Sequence, residues 1–253
     1  MSARIRGIAT CVLLIGASGA GAHDWAQWRG AEGSGLVREK KLPVEWGQDR
    51  NIAWKVALPG KGWSQPVVWG NRVFVTIAVT ENQAKPEAGS FNPFATADGS
   101  ASGGPGGFLG LGRPGGSASP PDKVYRWKLI CLDGATGNLV WEKTAREGKP
   151  RATVNQNNTY ASETPAMDGE HVIAYFGNTG LYCYDVSGNL VWSKDLGVYP
   201  MQFGWGTGSS PLLYGGRVFI DQGDFDDIPY SNYFANLIVS ERPLHGTALP
   251  EVG

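Results

Sequence analysis

Leu181–Asp195 reads LYCYDVSGNLVWSKD, and Leu129–Thr144 reads LICLDGATGNLVWEKT. Both carry a cysteine, an aspartate two residues on, and a Gly-Asn-Leu-Val-Trp run that leads into charged residues. In each, an alternating apolar segment meets a turn rich in Asp, Gly and Asn, and a second alternating segment follows. The stretch therefore predicts a β-hairpin, and its recurrence makes the hairpin a repeating part.

A second element fixes the unit. Ser64-Gln65-Pro66, Glu163-Thr164-Pro165 and Ser209-Ser210-Pro211 are each followed four residues after the proline by a glycine (Gly70, Gly169, Gly215) and seven after it by a valine (Val73, Val172, Val218). PVVWGNRVFVT, PAMDGEHVIAY and PLLYGGRVFID each read as strand, tight turn, strand. Pro165 and Pro211 are 46 positions apart, and Trp141 and Trp192 are 51 apart. A period in this range that holds four short strands and ends in a tryptophan predicts a β-propeller blade. One four-stranded sheet cannot bury both its faces alone, and radial stacking buries each face against the next sheet. The expected fold is thus all-β: a partial β-propeller of about three four-stranded antiparallel blades. The chance similarity of an ordinary β-sandwich is the competing account.

The segment Leu132-Asp133-Gly134-Ala135-Thr136-Gly137-Asn138-Leu139-Val140-Trp141 resembles the tryptophan-docking repeat of PQQ-like propellers, Ala-x-Asp-x-x-Thr-Gly-x-x-x-Trp. The second copy, Asp185 to Trp192, lacks one turn residue and the threonine. The opening Asp24-Trp25-Ala26-Gln27-Trp28-Arg29-Gly30 resembles the start of secreted PQQ-binding-like repeat proteins, which are similar to the propeller subunit of the outer-membrane β-barrel assembly machinery. The resemblance covers about residues 24–221. It implies the fold, and it leaves open whether the chain is an enzyme or a scaffold, since the same blades serve both.

Along the chain, residues 1–22 read as an export signal. Arg4 and Arg6 precede the apolar run Ile8–Ala17, and Ala20-Gly21-Ala22 supplies small residues for cleavage after Ala22. An uncleaved membrane anchor is the other reading, but the run is short for a span, and no other stretch approaches ~20 apolar residues. A periplasmic or secreted protein with no membrane span after signal cleavage is expected. Residues 23–49 form an arm carrying Trp25, Trp28 and Trp46, expected to lie against the side or floor of the propeller because exposed tryptophan is costly. Residues 50–221 hold the blades. Asn51–Val56 reads as the outermost strand of a blade, with Trp54 matching Trp141 and Trp192 as a blade staple.

Blade one is expected at Trp63–Trp69, Arg72–Val79, Tyr125–Asp133 and Asn138–Thr144. Residues 80–123 interrupt it with a low-complexity Gly/Pro-rich insert that buries too little apolar surface to order itself and is expected to be disordered. Blade two follows at Ala161–Met167, His171–Phe176, Gly180–Asp185 and Asn189–Asp195, and blade three begins with Thr207–Leu213 and Arg217–Asp221. Residues 222–253 contain no further hairpin of this kind and read as an irregular tail. Three blades are too few to close a ring, since known propellers have about four or more. The expectation is a truncated product of a longer gene, with self-association through open blade edges as the competing outcome.

Composition sets further bounds. Of 253 residues 18% are charged and the net charge is −1, without the basic surplus of a nucleic-acid binder. Cys131 and Cys183 occupy equivalent places in neighbouring blades, too far apart for a bridge, and are expected as two buried free thiols; a disulfide is the alternative in an exported chain. No metal site is expected, because His23, His171 and His245 lack ligand spacing.

The segments leading into the innermost strands are Gly60–Ser64, Asn155–Glu163 and Phe203–Ser209. In a propeller they converge on one mouth of the central channel, where ligands bind. Trp63, Asn158, Tyr160, Glu163 and Trp205 are the candidate ligand-binding residues, and a channel plugged by these same aromatics is the plain structural reading. No catalytic residue is assigned. Two functions stand: a non-catalytic exported propeller that binds or scaffolds a protein or small-molecule ligand, and a fragment of a quinoprotein dehydrogenase oxidising alcohols or sugars with PQQ and calcium. The first is favoured, with no cofactor. Quinoproteins that this chain resembles carry adjacent cysteines and a Glu/Asn/Asp calcium set, and this sequence has no adjacent cysteines.

Overall fold

A computed structural model describes residues 24–37, 42–47, 49–83, 119–155, 158–199, 204 and 206–220. The segment read as an export signal, most of the insert, Trp205 and the tail lie outside them. Among the described residues the alternating segments form ten strands. Blade one is β1 (Val67–Trp69), β2 (Arg72–Thr80), β3 (Tyr125–Asp133) and β4 (Leu139–Gly148). Blade two is β5 (Ala166–Met167), β6 (His171–Tyr175), β7 (Leu181–Asp185) and β8 (Leu190–Lys194). Blade three contributes β9 (Leu212–Tyr214) and β10 (Arg217–Phe219). Each sheet is antiparallel with its strands in sequence order, and the described residues do not close a ring. A 3-10 turn at Gly177–Thr179 links β6 to β7, where blade one carries its insert.

The two hairpins agree down to their irregularities. Cys131 pairs with Trp141 and Leu132 with Leu139, so Val140 bulges out. Cys183 pairs with Trp192 and Tyr184 with Leu190, so Val191 bulges at the same place. In both, the aspartate closes the turn. Asp133 Oδ1 accepts from the N–H groups of Ala135 at 3.1 Å and Thr136 at 2.9 Å, and Asp185 Oδ1 accepts from Ser187 at 2.8 Å and Asn189 at 2.9 Å. The Thr136 side chain first, then backbone N–H groups, hold the Asp133 carboxyl below its usual range; Asn189 does the same for Asp185.

Both faces of each four-stranded sheet are used. From β2, Phe74 and Ala78 join Trp127, Leu129 and Cys131 against Met167, Val172, Ala174 and Tyr184 of blade two. The alternate residues Val73, Val75 and Ile77 pack with Ile130 and Leu132 under Trp54 and Leu58. In blade two, Ile173, Tyr175, Leu181 and Cys183 meet Leu213, Val218 and Ile220 of blade three. Burial on alternate residues of one strand by two different neighbours is what radial stacking requires. Cys131 and Cys183 are buried free thiols.

Between blades, tryptophan meets glycine. Trp54 donates from Nε1 to Gly134 O at 2.9 Å and lies against Gly137, where an added Cβ would fall 2.7 Å from the indole. Trp141 repeats this one blade on, donating to Val186 O at 3.1 Å over Gly188, where a Cβ would fall 2.9 Å from the indole. Gly137 and Gly188 have φ of +74° and +84°, so the Gly-Asn turn supplies both the left-handed backbone and the flat floor the indole needs.

Four expectations change. The innermost strands span three, two and three residues, because the pre-proline residues bond sideways instead of along a ladder. Gln65 N donates to Thr164 Oγ1 at 3.0 Å, and Thr164 N donates to Ser210 Oγ at 3.0 Å, linking the three Pro motifs blade to blade. β4 runs on to Gly148, which pairs with Tyr125. Asn51–Val56 docks through Trp54 without forming a strand ladder. Finally, Trp46 is 65% exposed and Trp28 37%, so the arm covers only part of its aromatic surface.

What the arm does cover is the inner edge of the blades. Trp25 and Val68 exchange two backbone bonds at 2.8 and 2.9 Å, Met167 N donates to Ala26 O at 2.8 Å, and Leu213 N donates to Gln27 Oε1 at 3.2 Å. Three consecutive residues thus satisfy one inner strand each of blades one, two and three, groups that would otherwise be unpaired edge.

Candidate functional site

Antiparallel order places the β1–β2 and β3–β4 turns at one end of a blade, and the β2–β3 connection and the loops between blades at the other. Four of the five candidate residues lie in those inter-blade loops, and Trp205 lies outside the described residues.

Glu163 is the most constrained of them. It stands where the other two Pro motifs carry Ser64 and Ser209, and it is 1% exposed. Its Oε1 accepts from the Thr207 hydroxyl, its Oε2 accepts from Ser162 N at 3.2 Å, and its own carbonyl accepts from Thr76 Oγ1 at 3.0 Å. Burial pushes the carboxyl up to about 7, against the opposing pull of the Thr207 and backbone bonds. Tyr175 on β6 is buried beside it; burial first, and then the Glu163 charge, raise its phenol.

Asn158 joins the same cluster. Its Nδ2 donates to Thr207 O at 2.9 Å, and its Oδ1 accepts from Thr159 N at 2.8 Å and from the Ser162 hydroxyl. Tyr160 points elsewhere: its hydroxyl donates to Ala152 O at 3.0 Å, and its ring packs edge-on against Tyr125 at 4.8 Å and Trp127 at 6.2 Å. Trp63 is tied by its backbone, donating to Ala161 O at 3.0 Å, with its side chain 54% exposed. The structure therefore brings Asn158 and Glu163 together through Thr207 and Ser162, uses Tyr160 as interface packing, and leaves Trp63 on the surface.

Sequence reasoning did not single out Thr207 and Ser162. Both lie in the segments it named; Ser162 directly precedes Glu163, and Thr207 stands two residues before the Ser209-Ser210-Pro211 motif, and those positions were the available signal. Beside this network the described residues Thr153, Tyr160 and Thr207 border a cavity of about 20 Å³, room for about one water molecule. Among the described residues no three His, Cys, Asp or Glu side chains stand together as a metal site, and no helix is long and apolar enough to cross a membrane.

With the repeat geometry in place, comparison with known families is direct. Residues 121–228 match the family described as outer membrane protein assembly factor BamB. They are PQQ-like propeller repeats. The matched segment opens just before β3, takes in the whole of blade two and continues past β10, so it contains the Trp141 dock and the Glu163 network. No curated protein matches the chain.

Proposed function

We propose that this PQQ-like repeat protein is a non-catalytic exported propeller that acts as a binding or scaffolding module. The observation that carries the reading is the state of the inter-blade loops. Asn158 and Glu163 direct their polar atoms at Thr207 and Ser162, and the described residues around Thr207 enclose a cavity of about 20 Å³. A mouth so arranged holds blades two and three together. The alternative, PQQ with calcium, would ask Glu163 for ligand oxygens. Those oxygens already accept hydrogen bonds in a buried place, and calcium needs six to eight oxygen ligands. The family description, an outer-membrane assembly factor, supports a scaffolding role outside the cytoplasm.

Dye reduction by the purified chain, with added PQQ and calcium and a panel of alcohols and sugars, tests the reading. No PQQ-dependent turnover is expected. Turnover that requires PQQ and disappears in Glu163→Gln would put the quinoprotein reading first. Expression with the native N-terminus, followed by mass measurement of the mature chain, tests export: a periplasmic product beginning at His23 is expected, and an uncleaved cytoplasmic chain overturns that part.

A further inference from the structure

A second opening lies at the far end of the blades from Glu163. It is a cleft of about 440 Å³ between blades one and two, within the range of about 300–1,000 Å³ usual for small-ligand sites. Its apolar lining comes from Val140, Met167 and Val186. Its rim comes from blade one's turns: Trp69, Asn71, Arg72 and Asp133.

The β1–β2 turn itself does not require Trp69, Asn71 or Arg72. The same turn is built from Asp168-Gly169-Glu170-His171 in blade two and Tyr214-Gly215-Gly216-Arg217 in blade three. Asp168 folds onto its own turn, accepting from Glu170 N at 2.9 Å and His171 N at 2.7 Å. Trp69, in the same position, reaches to the next blade and rests on Gly169, where a Cβ would fall 2.7 Å from the indole. Arg72 donates from Nη1 to Val186 O at 3.3 Å, and its Nε and Nη2 have no partner among the described residues; neither has Trp69 Nε1. Asn71 Nδ2 donates to Asp133 Oδ2 at 2.6 Å, which leaves Asn71 Oδ1 and a second lone pair on Asp133 Oδ2 as acceptors.

The cleft thus offers an indole, a guanidinium and a carboxylate whose charges balance, and an amide oxygen. Balanced charge disfavours a strongly ionic ligand. An aromatic surface beside planar donors and acceptors suits a molecule with a C–H face and a ring of hydroxyls, which both donate and accept. We propose that this cleft binds an uncharged saccharide, its C–H face on Trp69 and its hydroxyls shared among Arg72, Asn71 and Asp133. The assignment rests on the chain being a binding module, and it places the ligand away from the loop end of the blades.

The test uses sister blades as folding controls. Trp69→Asp and Arg72→His each give blade one the residue that the same turn carries in blade two, so the turn should form in both; circular dichroism and melting check that each variant stays folded, and Arg72→His keeps the test open if loss of the Trp69 indole weakens the blade interface. The purified chain is titrated with a panel of methyl glycosides and disaccharides, followed by saturation-transfer NMR and tryptophan fluorescence. Saturable binding of at least one member is expected, weakened at least ~tenfold in each variant. The proposal fails if no glycoside binds, if the folded variants bind as well as the parent, or if N-acetyl amino-acid amides bind in preference to every sugar. Failure with a silent PQQ assay removes the saccharide and leaves the binding module; PQQ-dependent dye reduction removes the module itself.

Discussion

Trp141 and Trp192 occupy one position in two copies of one hairpin. Each pairs with a buried cysteine and each follows the same bulged valine. Trp141 is covered by Gly188 and donates to Val186 O, whereas Trp192 is 37% exposed in a strand where Leu190 and Val191 are 55% and 51% exposed. The repeat therefore encodes half a joint. Its tryptophan is a donor that needs the Gly-Asn turn of the following blade as acceptor, and residues after Gln222 contain no such hairpin. At the other end, the Gly137 turn of blade one accepts Trp54, which belongs to no described blade. Stability in such an array is a sum over joints between neighbours.

The largest effect should come from breaking the closed joint. Trp141→Ala removes a partly buried indole and its hydrogen bond, and it should cost about 3 kcal/mol. Gly188→Ala should cost about 2 kcal/mol, because the new Cβ strikes the indole and φ of +84° strains an L-residue. Both act on one contact, so urea melts of the double variant should show less than the sum. Additive losses would mean that the indole and the turn do not act as one joint.

The joint between blades two and three can be tuned by pH, because Glu163 is buried within it. Its folded pKa of about 7 lies above the ordinary glutamate value of 4.5. The folded state therefore favours the protonated acid, and the favourable contribution is complete below pH 4.5 and is lost as pH rises to about 7. A gap of this size corresponds to about 3 kcal/mol. The groups facing it are the Thr207 hydroxyl, Ser162 N–H and, by charge, Tyr175. Glu163→Gln should flatten the stability profile across this window and stabilise the chain at pH 8, with little change at pH 4.5. A parent profile without this downward slope, or one retained in the glutamine variant, would show that the carboxyl does not govern the joint.

The hairpins were legible because each rule acts within about 15 residues: alternation, the Asp-closed turn, and glycine where φ is positive. The strand bounds of β3, β7 and β10 follow closely from that pattern. Less legible were contacts made to backbone across blades. Nothing in the side chains of Trp25 and Ala26 announces that they pair with Val68 and Met167, since those bonds are main-chain. The Pro motifs were visible as a repeat, but the sideways bond from Gln65 N to Thr164 Oγ1 needs two blades in register. At the channel mouth, residue type suggested a ligand for Tyr160, and its place against Tyr125 and Trp127 shows it packing an interface. The saccharide cleft had a trace in the sequence, the contrast of Trp69 and Arg72 with Asp168 and His171, but its far wall belongs to the next blade.

The smallest effect should fall on the open joint, and it sharpens the comparison most. Trp192→Ala leaves the β7–β8 pairing intact and removes an indole with more than a third of its surface in contact with solvent. The cost should stay below about 1 kcal/mol, the range of surface changes that break no cap, core or network. Removing Trp192 should also reduce any self-association measured by sedimentation, because a large exposed aromatic beside Leu190 and Val191 is an adhesive surface. The decisive quantity is the ratio of the two tryptophan losses measured in one buffer. A ratio of about three or more marks one closed and one open joint, whereas a Trp192→Ala loss equal to that of Trp141→Ala would mean that another segment supplies the missing Gly-Asn acceptor in solution.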